Sequence, residues 1–306
     1  MKKVFMIGAG YVAGEAALRL IAKGHEVSIG KRQPEQGLPA SLPSGTPVLR
    51  MDVLVPSSFP PAMFEADSLI YCVASAGFSP EQYRQAYYEG LSNVLARLQA
   101  QPSQVRRIIF VSSTGVFSQE EGARVDESSP AEPRAFSGQI MLDAETALKR
   151  FGEQHPHIET SAIRFSGIYG PGRTRMLKEA LAGPPVTRKR WEQFTNRIHR
   201  DDCAAALVHL VEREKVRKTY VASDMAPSRF GEVISWLANK LQVAPPPILE
   251  TAMDGNEQAS KRTGLERGGH KQCWSTALLD EGFSFKYPSF REGYEALIIS
   301  EFGGGI

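Results

Sequence analysis

Gly8, Gly10 and Ala13 follow the apolar run Val4-Phe5-Met6-Ile7 with the spacing G-x-G-x-x-A. Residues in this pattern act through the backbone. The first glycine permits a tight turn, and the second lets the main chain approach a pyrophosphate. The small third residue lets a following helix pack closely on the strand. Tyr11 and Val12 fall inside the turn and join the set expected to bind, with the pyrophosphate seated on the positive end of the helix. The ligand this implies is a dinucleotide; a glycine-rich turn without a ligand is the plainer alternative. At the end of the second strand, an acid would bind a ribose 2′-hydroxyl. This chain has Ile29-Gly30-Lys31-Arg32 there and no acid before Glu35. Lys31 and Arg32 can pair with a 2′-phosphate, the guanidinium in a bidentate way. NADP(H) is therefore favoured and NAD remains possible, unless the two cations are simply solvated.

Other residues could handle protons or anions. Tyr83, Tyr87, Tyr88 and Tyr169 carry phenols, and His199 carries the imidazole whose ordinary pKa suits acid–base work. Packing, or a turn before Asp201-Asp202, would equally account for them. Arg173, Arg175, Lys178, Arg188, Lys189, Arg190, Arg197 and Arg200 crowd one stretch. Arg173 and Arg197 are the candidates for holding an anionic substrate, against a merely solvated face. Lys261 and Arg262 are candidates to close over such a site. Cys72, Cys203 and Cys273 lack the paired spacing of zinc or redox sites, so free thiols and no metal are expected.

The elements that must position these groups alternate. Strand-like runs lie at 4–7, 26–29, 47–50, 68–73, 107–112, 160–164 and 219–222. Helical patterns lie at 14–23, 81–100, 142–153 and 202–212. Several strands are apolar on both faces, as parallel strands covered by helices on each side must be. The expected fold is α/β: a doubly wound parallel sheet of the Rossmann kind with a smaller C-terminal substrate lobe. Residues 1–168 form the dinucleotide-binding domain and 169–306 the lobe, with about 202–225 returning to the first domain. Residues 33–44 and 241–271 are rich in turn formers and read as irregular backbone.

The chain has 306 residues, 42% of them hydrophobic and 23% charged, with a net charge of +2. That balance is too mild to argue for nucleic acid. The apolar run near the start is interrupted by Glu15 and Arg19, and no uninterrupted stretch is long enough for a membrane span. A cytoplasmic protein acting on a small molecule is expected.

Taken in order, the motifs resemble those of the extended short-chain dehydrogenase/reductases, the NAD-dependent epimerase/dehydratase superfamily. They are the glycine turn, Met51-Asp52-Val53, Tyr71-Cys72-Val73-Ala74-Ser75-Ala76, Phe110-Val111-Ser112-Ser113-Thr114-Gly115-Val116-Phe117 and Asp126-Glu127-Ser128-Ser129-Pro130. Arg164-Phe165-Ser166-Gly167-Ile168-Tyr169-Gly170-Pro171-Gly172 and Arg197-Ile198-His199-Arg200-Asp201-Asp202 complete the series. The resemblance implies that Asp52 and Val53 flank the adenine, and that Val73, Ala74 and Ser75 line the middle of the cofactor. Ser112 joins that set, and the backbone of Phe165, Gly167 and Ile168 lies beside the nicotinamide. It also implies that Ser113 bonds a substrate oxygen, unless the local turn satisfies it. Relatives often pair through two helices per subunit. Residues 81–100 and 142–153, with Tyr87, Leu91, Val94 and Leu98 as an apolar stripe, would make a homodimer.

The departure from the family lies at its Tyr-x-x-x-Lys pair, where Ser137 and Met141 stand. Serine is too weak an acid to replace the phenol, and methionine neither donates a proton nor carries charge. Ser113, Tyr169 and His199 are left as catalytic candidates. The expected function is that of an atypical NADP(H)-binding oxidoreductase acting on an anionic or nucleotide-sugar-like substrate. The alternative is a noncatalytic NADP(H)-binding redox sensor or regulator.

Overall fold

In a computed structural model that describes residues 1–250 and 269–303, the chain forms two compact units. Unit 1 comprises Met1–Val116, Ala131–Arg164 and Cys203–Tyr220; unit 2 comprises Phe117–Pro130, Phe165–Asp202 and Val221–Ile306. The expected boundary is 168/169, and the two units change over at Arg164/Phe165. Residues 117–130, placed with the first domain on sequence, go with unit 2. Lys261 and Arg262 lie outside the described residues.

Unit 1 is built on a seven-stranded parallel sheet. Its first strands are β1 (Lys3–Ile7), β2 (Glu26–Lys31), β3 (Val48–Arg50), β4 (Ser68–Tyr71) and β5 (Arg107–Ser113). The spatial order runs from the Thr219–Ala222 strand through the Glu159–Phe165 strand to β5, β4, β1, β2 and β3. Parallel neighbours in such a sheet need helical crossovers, which cover both faces and account for the all-apolar strands. In β1, Val4, Phe5, Met6 and Ile7 are all buried. Removing side chains of this size from water contributes about 1.5–3 kcal/mol each. The Tyr11–Ala22 helix follows the turn and buries Val12, Ala13, Ala16, Ala17 and Leu20, an i, i+4 stripe. Glu15 and Arg19 pair on its other side at 2.9 Å.

Two expected helices differ in detail. The pattern at 81–100 is not one α-helix but Pro80–Tyr83, a π-helical turn at Arg84–Glu89, and Gly90–Ala100. The buried Tyr71 hydroxyl donates to the Ala86 carbonyl at 2.6 Å, the acceptor that the Gly90 amide would use in a continuous α-helix. The second helix begins six residues early, at Phe136, so that Ser137 and Met141 lie within it. Leu91, Val94 and Leu98, expected to meet a partner subunit, are buried within the chain itself. The stripe is amphipathic because it faces the interior of unit 1.

Unit 2 replaces the broad sheet with short pairs. Gly167–Tyr169 runs parallel to Arg197–His199, placing Tyr169 opposite His199, and Ala123–Val125 runs parallel to Lys271–Cys273. Asn196 ties in the latter edge, donating to the Lys271 carbonyl and accepting from the Cys273 amide. Its core gathers Tyr169, Leu177, Phe230, Val233, Ile234, Leu237, Phe290, Tyr294 and Leu297. Among the described residues no helix is long and apolar enough to cross a membrane, and no cluster of His, Cys, Asp and Glu could hold a metal. The three cysteines form no disulfide.

Candidate functional site

A cavity of about 430 Å³ opens in unit 1 where β1, β2 and β4 end. Among the expected cofactor residues, Gly8, Gly10, Lys31, Arg32, Asp52, Val53, Val73 and Ala74 line it. Gly8 has φ +96°, and a Cβ there would stand 2.5 Å from the Cys72 carbonyl oxygen. Only glycine fits that turn. A Cβ on Gly10 would meet nothing within 4 Å, so this position looks into open space. Gly10 also caps the Tyr11–Ala22 helix, with no side-chain hydrogen bond and no acid in the first turn. A positive helix end left uncapped beside an open glycine cradle suits a pyrophosphate. The residues present therefore fit a dinucleotide. Val12 and Ala13 are buried beneath the turn.

Cations gather at the far end of the cavity. Lys31 and Arg50 are opposite each other in the β2–β3 register, and the Arg50 guanidinium donates to the Arg32 carbonyl at 3.3 Å. The Lys31 ammonium bonds the Gln36 carbonyl and so shapes the loop around the cavity. Partial burial lowers the Lys31 pKa, opposed by Glu35. Arg32 lines the cavity from the loop itself. Asp52 turns inward on its own chain, accepting from the Leu54 amide at 2.9 Å. Sequence reasoning missed Arg50, which stands beside the lining residue Lys31 in the β2–β3 register and bonds the Arg32 carbonyl. It also missed the lining residues Gln33, Gln36, Met51, Leu54, Cys72, Gln82 and Gln85. A basic residue at a strand end one step from Met51-Asp52 was the available signal for Arg50. Gln82 and Gln85 come from the stretch around the π-helical turn and carried none.

The remaining candidates of unit 1 surround the start of the Phe136–Gln154 helix. Ser113 accepts from the Gly115 amide at 3.1 Å, which leaves its own hydroxyl proton to donate. A Cβ on Gly138 would overlap the Gly115 carbonyl, so the helix presses directly on this turn beside Ser137. Met141 is buried. One turn later, Glu145 accepts from Ser112 at 2.5 Å and from the Arg164 guanidinium at 3.0 and 2.6 Å. The Ser112 hydroxyl is thus committed to the helix. The Ser75 side chain bonds the Gly77 carbonyl, and its amide donates to the Tyr87 hydroxyl at 3.3 Å. Burial raises the Tyr87 pKa, partly offset by that amide. Tyr87, Tyr83, Phe78 and Phe136 form a chain of ring contacts of 4.9–5.6 Å beside Ser137.

In unit 2, Tyr169 and His199 stand edge to face at 5.3 Å, both buried. The His199 Nδ1 accepts from the Asp201 amide at 3.1 Å, which places the proton of the neutral ring on Nε2. Burial drives the Tyr169 pKa upward, with Asp224 adding to the shift. Arg197 is also buried, with its guanidinium 5.4 Å from the Phe290 ring. Arg173 is exposed on a turn closed by the Arg173 amide on the Gly170 carbonyl at 2.8 Å. Phe165 is buried, whereas Gly167 is exposed and Ile168 half-buried. Three of the eight crowded basic residues are held in ion pairs: Arg188 with Glu250 at 2.5 Å, Arg190 with Glu179 at 2.5 Å and Arg200 with Asp201 at 2.8 Å.

Residues 8–214 match the NAD(P)H-binding family. Protein YeeZ of Escherichia coli K12 is 28% identical over 296 residues, covering 94% of this chain and 97% of its own. The structure of a protein assigned to the NAD-dependent epimerase/dehydratases, from Methylobacillus flagellatus, is 31% identical with a TM-score of 0.75, each chain covered to 98%. The UDP-glucose 4-epimerase of Thermus thermophilus, in complex with NAD, has the same fold at 18% identity and a TM-score of 0.78. That match covers 99% of this chain and 100% of the epimerase.

Proposed function

We propose, from the premise that this chain belongs to the NAD(P)H-binding family and the epimerase/dehydratase superfamily, that it binds NADP(H) in preference to NAD(H). The observation that carries this reading is the group Lys31, Arg32 and Arg50 at the ends of β2 and β3, where an NAD-preferring site would hold an acid. Gly8 and Gly10 would admit the pyrophosphate, Asp52 and Val53 would flank the adenine, and Val73, Ala74 and Ser75 would line the middle. When bound, the cofactor supplies a hydride donor or acceptor. The chain's own part is to orient it and to manage protons without a Tyr–Lys pair. Ser113, with a hydroxyl proton to donate, is proposed to hold a substrate oxygen. Arg173 is proposed to meet an anionic group of the substrate, whose nucleotide-sugar-like class rests on the family alone. Tyr169, His199 and Arg197 are buried and would act from behind contacting residues.

Arg32→Ala tests the cofactor reading. Losing a guanidinium–phosphate contact costs about 1.5–3 kcal/mol, so NADPH should bind about tenfold to a hundredfold more weakly while NADH changes little. Titration calorimetry with equal losses for both cofactors would overturn it. A noncatalytic NADP(H)-responsive regulator is the second reading, favoured by the inert Ser137 and the buried Met141. NADPH consumption with a panel of carbonyl compounds separates the two: steady turnover supports the enzyme, and tight binding without turnover supports the regulator.

A further inference from the structure

Two glutamines, Gln82 and Gln85, line the cavity of unit 1 from the stretch that follows β4. Gln82 is held by Ser79, the residue that caps the Pro80–Tyr83 helix. The Ser79 hydroxyl accepts from the Gln82 amide at 3.2 Å and donates its own proton to Gln82 Oε1 at 3.1 Å. The same side chain fills the space over Gly77, where a Cβ would stand 2.4 Å from Oε1. With its oxygen engaged, Gln82 presents Nε2, which carries two hydrogens and has no acceptor among the described residues. Gln85 differs. Its Nε2 donates to the exposed Glu81 carboxylate at 3.4 Å, so a negative charge stands beside its amide.

The place of Gln82 along the cavity follows from the sheet order. β4 adjoins β1, β1 adjoins β2, and β3 is at the edge. The chain leaving β4 starts against the glycine turn, because a Cβ on Gly8 would meet the Cys72 carbonyl. From there Val73, Ala74 and Ala76 continue the cavity wall, and Gly77 then meets Gln82. At about 4.8 Å per strand, β4 is one step from the strand that feeds the glycine turn. It is about 10–14 Å from the strands that carry Lys31 and Arg50. Val53, proposed above to flank the adenine, packs on Gly90 instead, roughly two turns past Gln82 and about 11 Å along the axis. Gln82 therefore offers donors to the part of the cavity beside the glycine turn. Of a dinucleotide's parts, the phosphates are charged and accept without donating, and hydrogen bonds to a charged acceptor are the stronger kind.

We propose that Gln82 donates from Nε2 to the pyrophosphate of the bound dinucleotide, adding a side-chain donor to the backbone amides of the glycine turn. Ser79 is the positioning residue, because its hydroxyl fixes which end of the amide faces the cavity. The proposal rests on the dinucleotide reading above but not on the preference for NADP(H). Ser79 and Gln82 also have the spacing of a helix cap, and a cap alone would tolerate Gln82→Glu. A donor to phosphate would not.

Titration calorimetry of the full chain with NADPH, NADH and ADP-ribose, which share the pyrophosphate, is the test. Gln82→Met removes the donors without adding charge. All three ligands should then bind about tenfold to a hundredfold more weakly, the loss expected for a bond to a charged group. Gln82→Glu keeps an acceptor for the Ser79 hydroxyl and should lose at least as much affinity. Wild-type affinity in either variant overturns the proposal, and so does a loss confined to NADPH or one that spares ADP-ribose. Should Gln82→Met fail to fold, Gln82→Glu carries the test at about 0.5 M salt, where a distant charge is screened and a missing contact is not. A loss that vanishes there overturns the proposal. A wild-type chain that prefers NADH, with both variants weakened towards it, refutes the NADP(H) preference and upholds Gln82. A wild-type chain that binds no dinucleotide refutes both.

Discussion

Each unit buries an arginine beside a carboxylate, and the two sites differ in how the charges are met. In unit 1, Arg164 and Glu145 close a bidentate pair at 2.6 and 3.0 Å, and Ser112 supplies a further donor at 2.5 Å. In unit 2, Arg197 and Asp224 are equally buried yet leave Nη1 and Oδ2 unmet. The closed site is a clamp. It fastens the Phe136–Gln154 helix to the ends of β5 and the Glu159–Phe165 strand, and so holds the backbone beneath Ser113. The open site is poised on its protonation. Burial raises the Asp224 pKa to about 7, with Arg197 opposing and Glu292 and Asp202 adding to the rise. An arginine and a carboxylate thus close a clamp in one unit and leave unmet atoms in the other, and geometry decides which.

The largest test of the comparison is to unlock the clamp. Glu145→Ala leaves the Arg164 guanidinium buried without its carboxylate and should cost about 3–5 kcal/mol in denaturant unfolding. A loss under about 1 kcal/mol would mean that the pair is not what holds the helix. Next comes the pH slope from unit 2. The folded-state pKa of Asp224 lies above its unfolded value, so the native state holds the proton more tightly. The stability this contributes is complete below about pH 3.9 and is lost as the pH rises through about 7. A shift of this size corresponds to up to about 4 kcal/mol. Unfolding free energies measured from pH 4 to 8 should fall more steeply for the wild type than for Asp224→Asn, which cannot titrate; parallel curves would remove Asp224 as the source. The smallest effect is expected at Ser112→Ala, which takes one donor from Glu145 while the guanidinium remains. A cost of about 1–2 kcal/mol by thermal melting is expected, with no change in the slope against pH.

How much was legible in the sequence depended on whether a residue's role is local. The glycine turn was readable because Gly8 needs a positive φ and Gly10 an open face, requirements that no neighbour far along the chain can alter. Lys31 and Arg32 were readable for the same reason, being fixed by the end of a strand. Arg50 was not, because it becomes a neighbour of Lys31 only through the β2–β3 register. The stripe Leu91, Val94 and Leu98 was correctly apolar but assigned to the wrong surface, since periodicity reports that one face is buried and not what buries it. The π-helical turn lies where a phenol from β4 donates to the Ala86 carbonyl, a contact that no local propensity encodes.

By itself, then, the sequence determined the alternation of strands and helices, the parallel sheet and the glycine turn. Apolar periodicity and glycine stereochemistry act over a few residues and need nothing else. Tertiary structure alone decided which charges are spent and which remain available. Arg188, Arg190 and Arg200 are paired away and Arg197 is drawn inside, whereas Arg32 stays at the cavity with Arg50 bonded to its carbonyl. A side chain's charge is written in its type, but its desolvation and its partners are set by residues tens or hundreds of positions distant, and those terms fix what the charge can do.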